Sequence, residues 1–105
     1  MVQYMSVEAF ALLKDVRVID VRTPAEFEDQ CLAGSINLPL SVLEESALEQ
    51  PHCETFNSGG TIYLLCGTGM RAEKAAHALH GQVSQPLVVV KGGIKALDAL
   101  GHPLQ

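Results

Sequence analysis

The chain reads as an α/β protein, a central and mostly parallel sheet with helices on both faces. Three observations predict this. Runs rich in Val, Ile and Leu recur at 16–21, 61–65 and 87–90, close to continuous rather than alternating, as in strands covered on both faces. A stretch with helical spacing follows each run. Strand and helix then alternate along the whole chain, which is the order that builds parallel sheets sandwiched by helices. With 105 residues and 48% hydrophobic content, the expectation is one compact domain over 1–105, with no room for a second.

The elements follow in order. Ser6 can cap a short helix whose Val7, Phe10, Ala11 and Leu13 share a face, ending at Asp15. Val16 to Val21 is the first buried strand, with Asp20 and Arg22 at its C-terminal end. Thr23-Pro24-Ala25-Glu26 is a helix start: Thr23 as N-cap, Pro24 at the first helical position and Glu26 closing a capping box, which gives Glu26 a complete structural role. Ser35 to Leu38 is a short strand closed by Pro39. Ser41-Val42-Leu43-Glu44 reads as a second capping box, opening a helix to about Gln50, and 51–60 is a loop. Ile62 to Leu65 is the next buried strand, and Met70 to His80 a helix with Ala72, Ala75, Ala76 and Leu79 on one face, ended by Gly81. Leu87 to Val90 is the third buried strand. Lys91-Gly92-Gly93 turns it into a last helix with Ile94, Leu97 and Leu100 inward, stopped by Gly101 and Pro103.

The chemistry concentrates at Cys66-Gly67-Thr68-Gly69-Met70-Arg71. A strand that breaks into a glycine-rich loop and restarts as a helix aims backbone N–H groups and the positive end of the helix dipole at one point, here the sulfur of Cys66. A lone cysteine after an apolar strand is ordinarily a small buried hydrophobe. Two glycines within three residues argue against that, since a buried strand end does not need so permissive a backbone. The stretch therefore reads as an anion cradle around a nucleophilic sulfur. Arg71, the only cation in it, has two readings: it binds the anion, or it reaches back to hold the loop closed. Met70 at the rim is either a docking contact or, as favoured here, the first core residue of its helix. In an open α/β sheet the ligand sits beyond the carboxyl ends of the strands, so Asp20, Arg22, the loop and Lys91 to Gly93 converge on one edge.

That loop, together with Val18-Ile19-Asp20-Val21-Arg22-Thr23-Pro24-Ala25-Glu26-Phe27 and Gly92-Gly93-Ile94, resembles a single-domain rhodanese, a sulfurtransferase, from about Ser6 to Pro103. The resemblance implies a rhodanese-like fold and sulfane-sulfur transfer through a Cys66 persulfide. Gly67, Thr68, Gly69, Met70 and Arg71 would then hold the substrate, and Asp20 and Arg22 would orient the site without touching it. For the donor, Cys66-Gly67-Thr68-Gly69 resembles the start of mercaptopyruvate sulfurtransferase loops, while the closing Arg71 resembles thiosulfate-using single-domain members. The reading favoured here is a small anionic donor of thiosulfate type, with cyanide or a thiol, including a protein thiol, as acceptor. No cofactor and no metal is required. Lys91, Lys95 or Arg22 would add positive field for a dianion. Two positions depart from the family pattern. Cys31-Leu32-Ala33-Gly34-Ser35 stands where many members have a His before an Ile-Pro-Gly-Ala turn, and Leu97 where many have a Trp. Cys31 is either a resolving thiol near Cys66 or, as favoured here, a packed structural thiol, and Cys53 is an incidental exposed one. Phosphatases and arsenate reductases of related fold place five residues between Cys and Arg, whereas Gly67 to Met70 makes four. A persulfide carrier or redox-sensing module acting on one protein partner is the other reading.

A net charge of −5 disfavours nucleic acid and anionic membranes, which need a basic footprint. No stretch has the length of a membrane-spanning helix and no signal peptide is visible. Three widely spaced cysteines suggest neither a disulfide framework nor a zinc site, so a reducing, cytoplasmic setting is expected. His52, His77, His80 and His102 fall at positions expected to be exposed.

Overall fold

The apolar runs become the middle of a five-stranded sheet in the computed structural model, which describes residues 2–46 and 59–105. The strands are β1 (Val2–Ser6), β2 (Arg17–Asp20), β3 (Ile36–Asn37), β4 (Ile62–Leu65) and β5 (Leu87–Lys91). Between and after them run α1 (Val7–Phe10), α2 (Pro24–Asp29), α3 (Leu40–Ser46), α4 (Met70–His80) and α5 (Gly93–Ala99). The order across the sheet is β1-β5-β4-β2-β3 and every pairing is parallel. All carboxyl ends therefore lie on one edge.

Side chains alternate between the sheet's two faces and meet two separate helical layers. Ile19, Ile62, Leu64, Leu87 and Val89 pack with Leu43 of α3 and with Ala72, Ala75, Ala76 and Leu79 of α4. Val18, Leu65 and Val90 pack on the other face with Val7 and Phe10 of α1 and Ile94 and Leu97 of α5. The four α4 residues are completely buried. Three of them are alanines, and their small side chains bring the helix axis close to the sheet.

Several boundaries differ from the sequence reading. β1 was not foreseen. It is an edge strand with Gln3, Tyr4 and Ser6 exposed, so it lacks both the continuous apolar run of a central strand and a clean alternation. Ser6 does cap α1, accepting a 3.2 Å hydrogen bond from the Ala9 amide. The helix stops at Phe10, however, and Leu13 is exposed. Ser41 lies inside α3, whose start is marked by the Pro39 carbonyl accepting from the Val42 and Leu43 amides, so the second capping box is not formed. Leu100 is 46% exposed, because steps of three residues drift by about 60° each around a helix and the second step leaves the buried face. The helix extension to Gln50, His52 and Cys53, and most of the 51–60 loop, lie outside the described residues.

Candidate active site

β4 delivers Cys66 to the carboxyl edge of the sheet, and Gly69, at φ 108°, makes the turn into α4 that only glycine accepts without strain. The first amides of a helix have no acceptor within it. Here two N–H groups at the start of α4 find the sulfur: Gly69 donates to Sγ at 2.9 Å and Ala72 at 3.4 Å. Two amides thus face the resting sulfur, one from Gly69 within the Gly67–Arg71 stretch and one from Ala72, one residue beyond it. Sequence reasoning missed Ala72 as a donor; its first-turn position on the buried face of the helix is the signal that would have found it.

The sulfur is also covered. Cys66 is 0% exposed and lies in the same cluster as Leu64, Ala72 and Ala75, so the buried-hydrophobe reading and the amide-cradle reading both describe it. Thr68 and Met70 form an exposed crest above. Met70, read as the first core residue of α4, is instead 73% exposed, because it lies on the face of the helix that carries the exposed Glu73, Lys74 and His77, opposite the buried Ala72, Ala75, Ala76 and Leu79.

The Lys91–Gly93 turn contributes more than a change of direction. The Ile94 amide donates to the Cys66 carbonyl at 2.8 Å and the Lys95 amide to the Gly67 carbonyl at 3.0 Å. The N-terminus of α5 thereby pins the backbone of the loop. A Cβ on Gly93 would stand 2.2 Å from the Cys66 carbonyl oxygen, so no other residue permits this approach.

Arg71 folds back over the loop onto α2. Its two terminal nitrogens meet the two carboxylate oxygens of Glu26 at 2.6 and 2.9 Å, a fork-on-fork pairing that favours the loop-closing reading. Glu26 also accepts from the backbone N–H (3.2 Å) and hydroxyl (3.0 Å) of Thr23, completing the expected capping box. The reading of Glu26 as a cap alone is therefore incomplete. Arg71, aided by the Thr23 bonds, holds the Glu26 carboxyl down at about 2, and Glu26 in turn raises the Arg71 guanidinium above its ordinary value.

Asp20 and Arg22 form a second pair, 2.7 Å apart and buried. Arg22 reaches on to the Gln30 carbonyl at 2.6 Å, and Asn37 ties down the Asp20 and Arg22 carbonyls at 3.0 and 2.9 Å. Arg22 is thus spent on Asp20 and does not supply free positive charge to the loop. Lys91 and Lys95 are exposed beside it.

Cys31 exchanges both backbone hydrogen bonds with Gln105, at 3.0 and 2.8 Å, and the neighbouring Leu32 and Leu104 pack in the cluster on the face opposite Cys66. That placement favours a packed thiol over a resolving one. His77 and His80 are exposed on α4 and His102 is half-buried. Among the described residues, no three of His, Cys, Asp and Glu gather as a metal site, and no helix is long and apolar enough to cross a membrane.

Residues 7–100 match the model of the rhodanese-like domain. A putative sulfur carrier protein, YrkF of Bacillus subtilis, is 30% identical over 87% of this chain and 48% of its own length. The uncharacterized protein YqhL of the same organism is 32% identical over 78% of this chain and 60% of its length. The chain thus spans about half the length of these relatives. A rhodanese-related protein from Thermoplasma volcanium superposes with a TM-score of 0.77 at 25% identity, covering 98% of this chain and 97% of that one. The α/β architecture, the loop between β4 and α4 and the match over nearly every element agree: the chain belongs to the rhodanese-like domain family, a sulfur-transfer family.

Proposed function

We propose that the chain, acting as one domain, is a sulfurtransferase that passes sulfane sulfur from a thiosulfate-type donor to cyanide or a thiol through a persulfide on Cys66. The observation that carries this reading is the pair of α4 amides aimed at Sγ, with Gly69 at 2.9 Å. The Cys66 thiolate attacks the outer sulfur of the donor. An S–S bond forms, and the donor's own bond to that sulfur breaks with its electron pair leaving on sulfite. The persulfide Cys66–S–S⁻ is an anion, and N–H donors and a helix N-terminus stabilise anions by charge-assisted hydrogen bonds. Two displacements through a covalent intermediate give ping-pong kinetics.

Because Sγ is covered, the donor reaches it only when the Thr68–Met70 crest shifts, a movement that glycines at 67 and 69 allow. With both Arg71 nitrogens held by Glu26, the guanidinium stabilises the loop rather than gripping a tetrahedral oxyanion. That weighs against the phosphatase and arsenate reductase readings. Asp20 and Arg22 act as a positioning pair beneath the site. The three widely spaced cysteines of the sequence support a reducing, cytoplasmic setting.

A second reading, a persulfide carrier serving a protein partner, is favoured by the 73% exposure of Met70 at the crest, a contact an acceptor protein would cover. The test is intact mass after incubation with thiosulfate. The wild type is expected to gain one sulfur atom and Cys66→Ser none. No gain in the wild type would remove the reading. Rapid transfer to a protein with slow turnover on every small acceptor would select the carrier.

A further inference from the structure

A trough of about 430 Å³ opens beside the loop, on the β5–β1 side of β4 and so away from α2. Its floor is Val89 of β5 and Tyr4 of β1, which are register partners. Its wall is the first turn of α4, Met70 and Glu73, and its head is formed by Thr68, Gly69, Lys91 and Gly92. Gly69, whose amide lies 2.9 Å from Sγ, also lines the head of the trough, which therefore adjoins the sulfur cradle without Cys66 itself lining it.

The lining has two characters. Met70, Val89 and the Tyr4 ring give an apolar bed, with Met70 and Tyr4 among the few large apolar side chains left in solvent. Glu73 and Lys91 give one charge of each sign, both exposed. The Glu73 carboxylate beside Tyr4 lifts the phenol above its ordinary value. In size the trough falls among small-molecule sites, roughly 300 to 1,000 Å³. Cyanide or sulfite would fill a small part of it.

We infer that this trough selects the sulfur acceptor, and that the acceptor is a small cysteinyl thiol bearing both an ammonium and a carboxylate. The ammonium lies against Glu73 and the carboxylate against Lys91. The carbon skeleton rests on Met70 and Val89, and the thiol is at the Gly69 end. This rests on the sulfur-transfer reading of Cys66. The acceptor loses its thiol proton to solvent, and its thiolate attacks the outer sulfur of the persulfide. The new S–S bond forms as the bond to Cys66 Sγ breaks, the electron pair returns to Sγ, and the acceptor leaves as its own persulfide with no net oxidation.

The test uses protein loaded with thiosulfate, its persulfide content measured by intact mass, and four thiols of similar size: cysteine, cysteamine with the cation only, 3-mercaptopropionate with the anion only, and neutral 2-mercaptoethanol. The readout is each thiol's kcat/KM relative to 2-mercaptoethanol, compared between wild type and variants so that intrinsic thiol reactivity cancels. Glu73→Gln is expected to reduce the ratios for cysteine and cysteamine roughly threefold while sparing 3-mercaptopropionate, and Lys91→Met to reduce those for cysteine and 3-mercaptopropionate while sparing cysteamine. Cysteinylglycine against cysteine then tells a short peptide from the free amino acid, and either as the better substrate supports the inference. Ratios identical in all three proteins overturn it although persulfide forms, as does turnover confined to a protein thiol. A wild type that never gains sulfur overturns the sulfur-transfer reading and this inference together.

Discussion

Two arginine–carboxylate pairs stand at the same edge of the sheet and differ in one respect. Asp20–Arg22 closes at 2.7 Å with side chains 0% and 6% exposed, whereas Glu26–Arg71 closes at 2.6 Å with side chains 39% and 37% exposed. Contact distance does not separate them; access to water does. The buried pair has given up its hydration and is committed to its partner, so it behaves as part of the scaffold. The half-exposed pair remains in exchange with solvent and ions, which suits a clasp on a loop that has to open.

The largest effect should come from breaking the buried pair. Arg22→Met leaves the Asp20 carboxylate buried without a countercharge and is expected to lose roughly 3–5 kcal/mol in urea unfolding. Arg71→Met is expected to lose only about 0–1 kcal/mol. Equal losses would abolish the distinction.

Next in size is an effect on rate. Glu26→Gln weakens the clasp, and because the loop has to open for the donor to reach Sγ, persulfide formation from thiosulfate should quicken by up to about fivefold, the worth of a half-exposed ion pair. A slower reaction would instead show that the closed loop is the form that reacts.

The pH dependence is smaller. Glu26 sits at about 2, below its unfolded value, so its contribution is complete above about pH 4.5 and fades as pH falls from there through 2. Screening at this exposure holds that contribution below about 1 kcal/mol. Stability curves for wild type and Glu26→Gln should therefore converge on acidification across this window; curves that stay parallel would place the stabilisation elsewhere. Smallest is the salt effect. A double-mutant cycle on Glu26 and Arg71 should lose a few tenths of a kcal/mol of coupling energy on moving to about 1 M salt, with the Asp20–Arg22 coupling nearly unchanged.

The residues that reveal themselves in sequence here are those whose role is local. Thr23, Pro24 and Glu26 announce the start of α2 within four positions, and the α4 alanines announce their face by spacing alone. What sequence withholds is set by distant partners. Glu26 meets Arg71 across the fold, and nothing near either residue signals it. Gly93 reads as a turn residue, and its closeness to the Cys66 carbonyl appears only when two strand ends are brought side by side. β1 is hidden because an edge strand with three exposed residues is held by the backbone of its neighbour rather than by its own side chains.

The pairing of β1 with β5, Val2 against Leu87 through Ser6 against Lys91, bears on how the molecule is made. The segment Val2–Ser6 is synthesised well before its hydrogen-bonding neighbour Leu87–Lys91, with β2, β3 and β4 made in between. Closing so large a loop is slow relative to forming helices. During synthesis, the β2–β4 centre would assemble ahead of the rim, leaving the Tyr4 side of the molecule as the last part to settle into place.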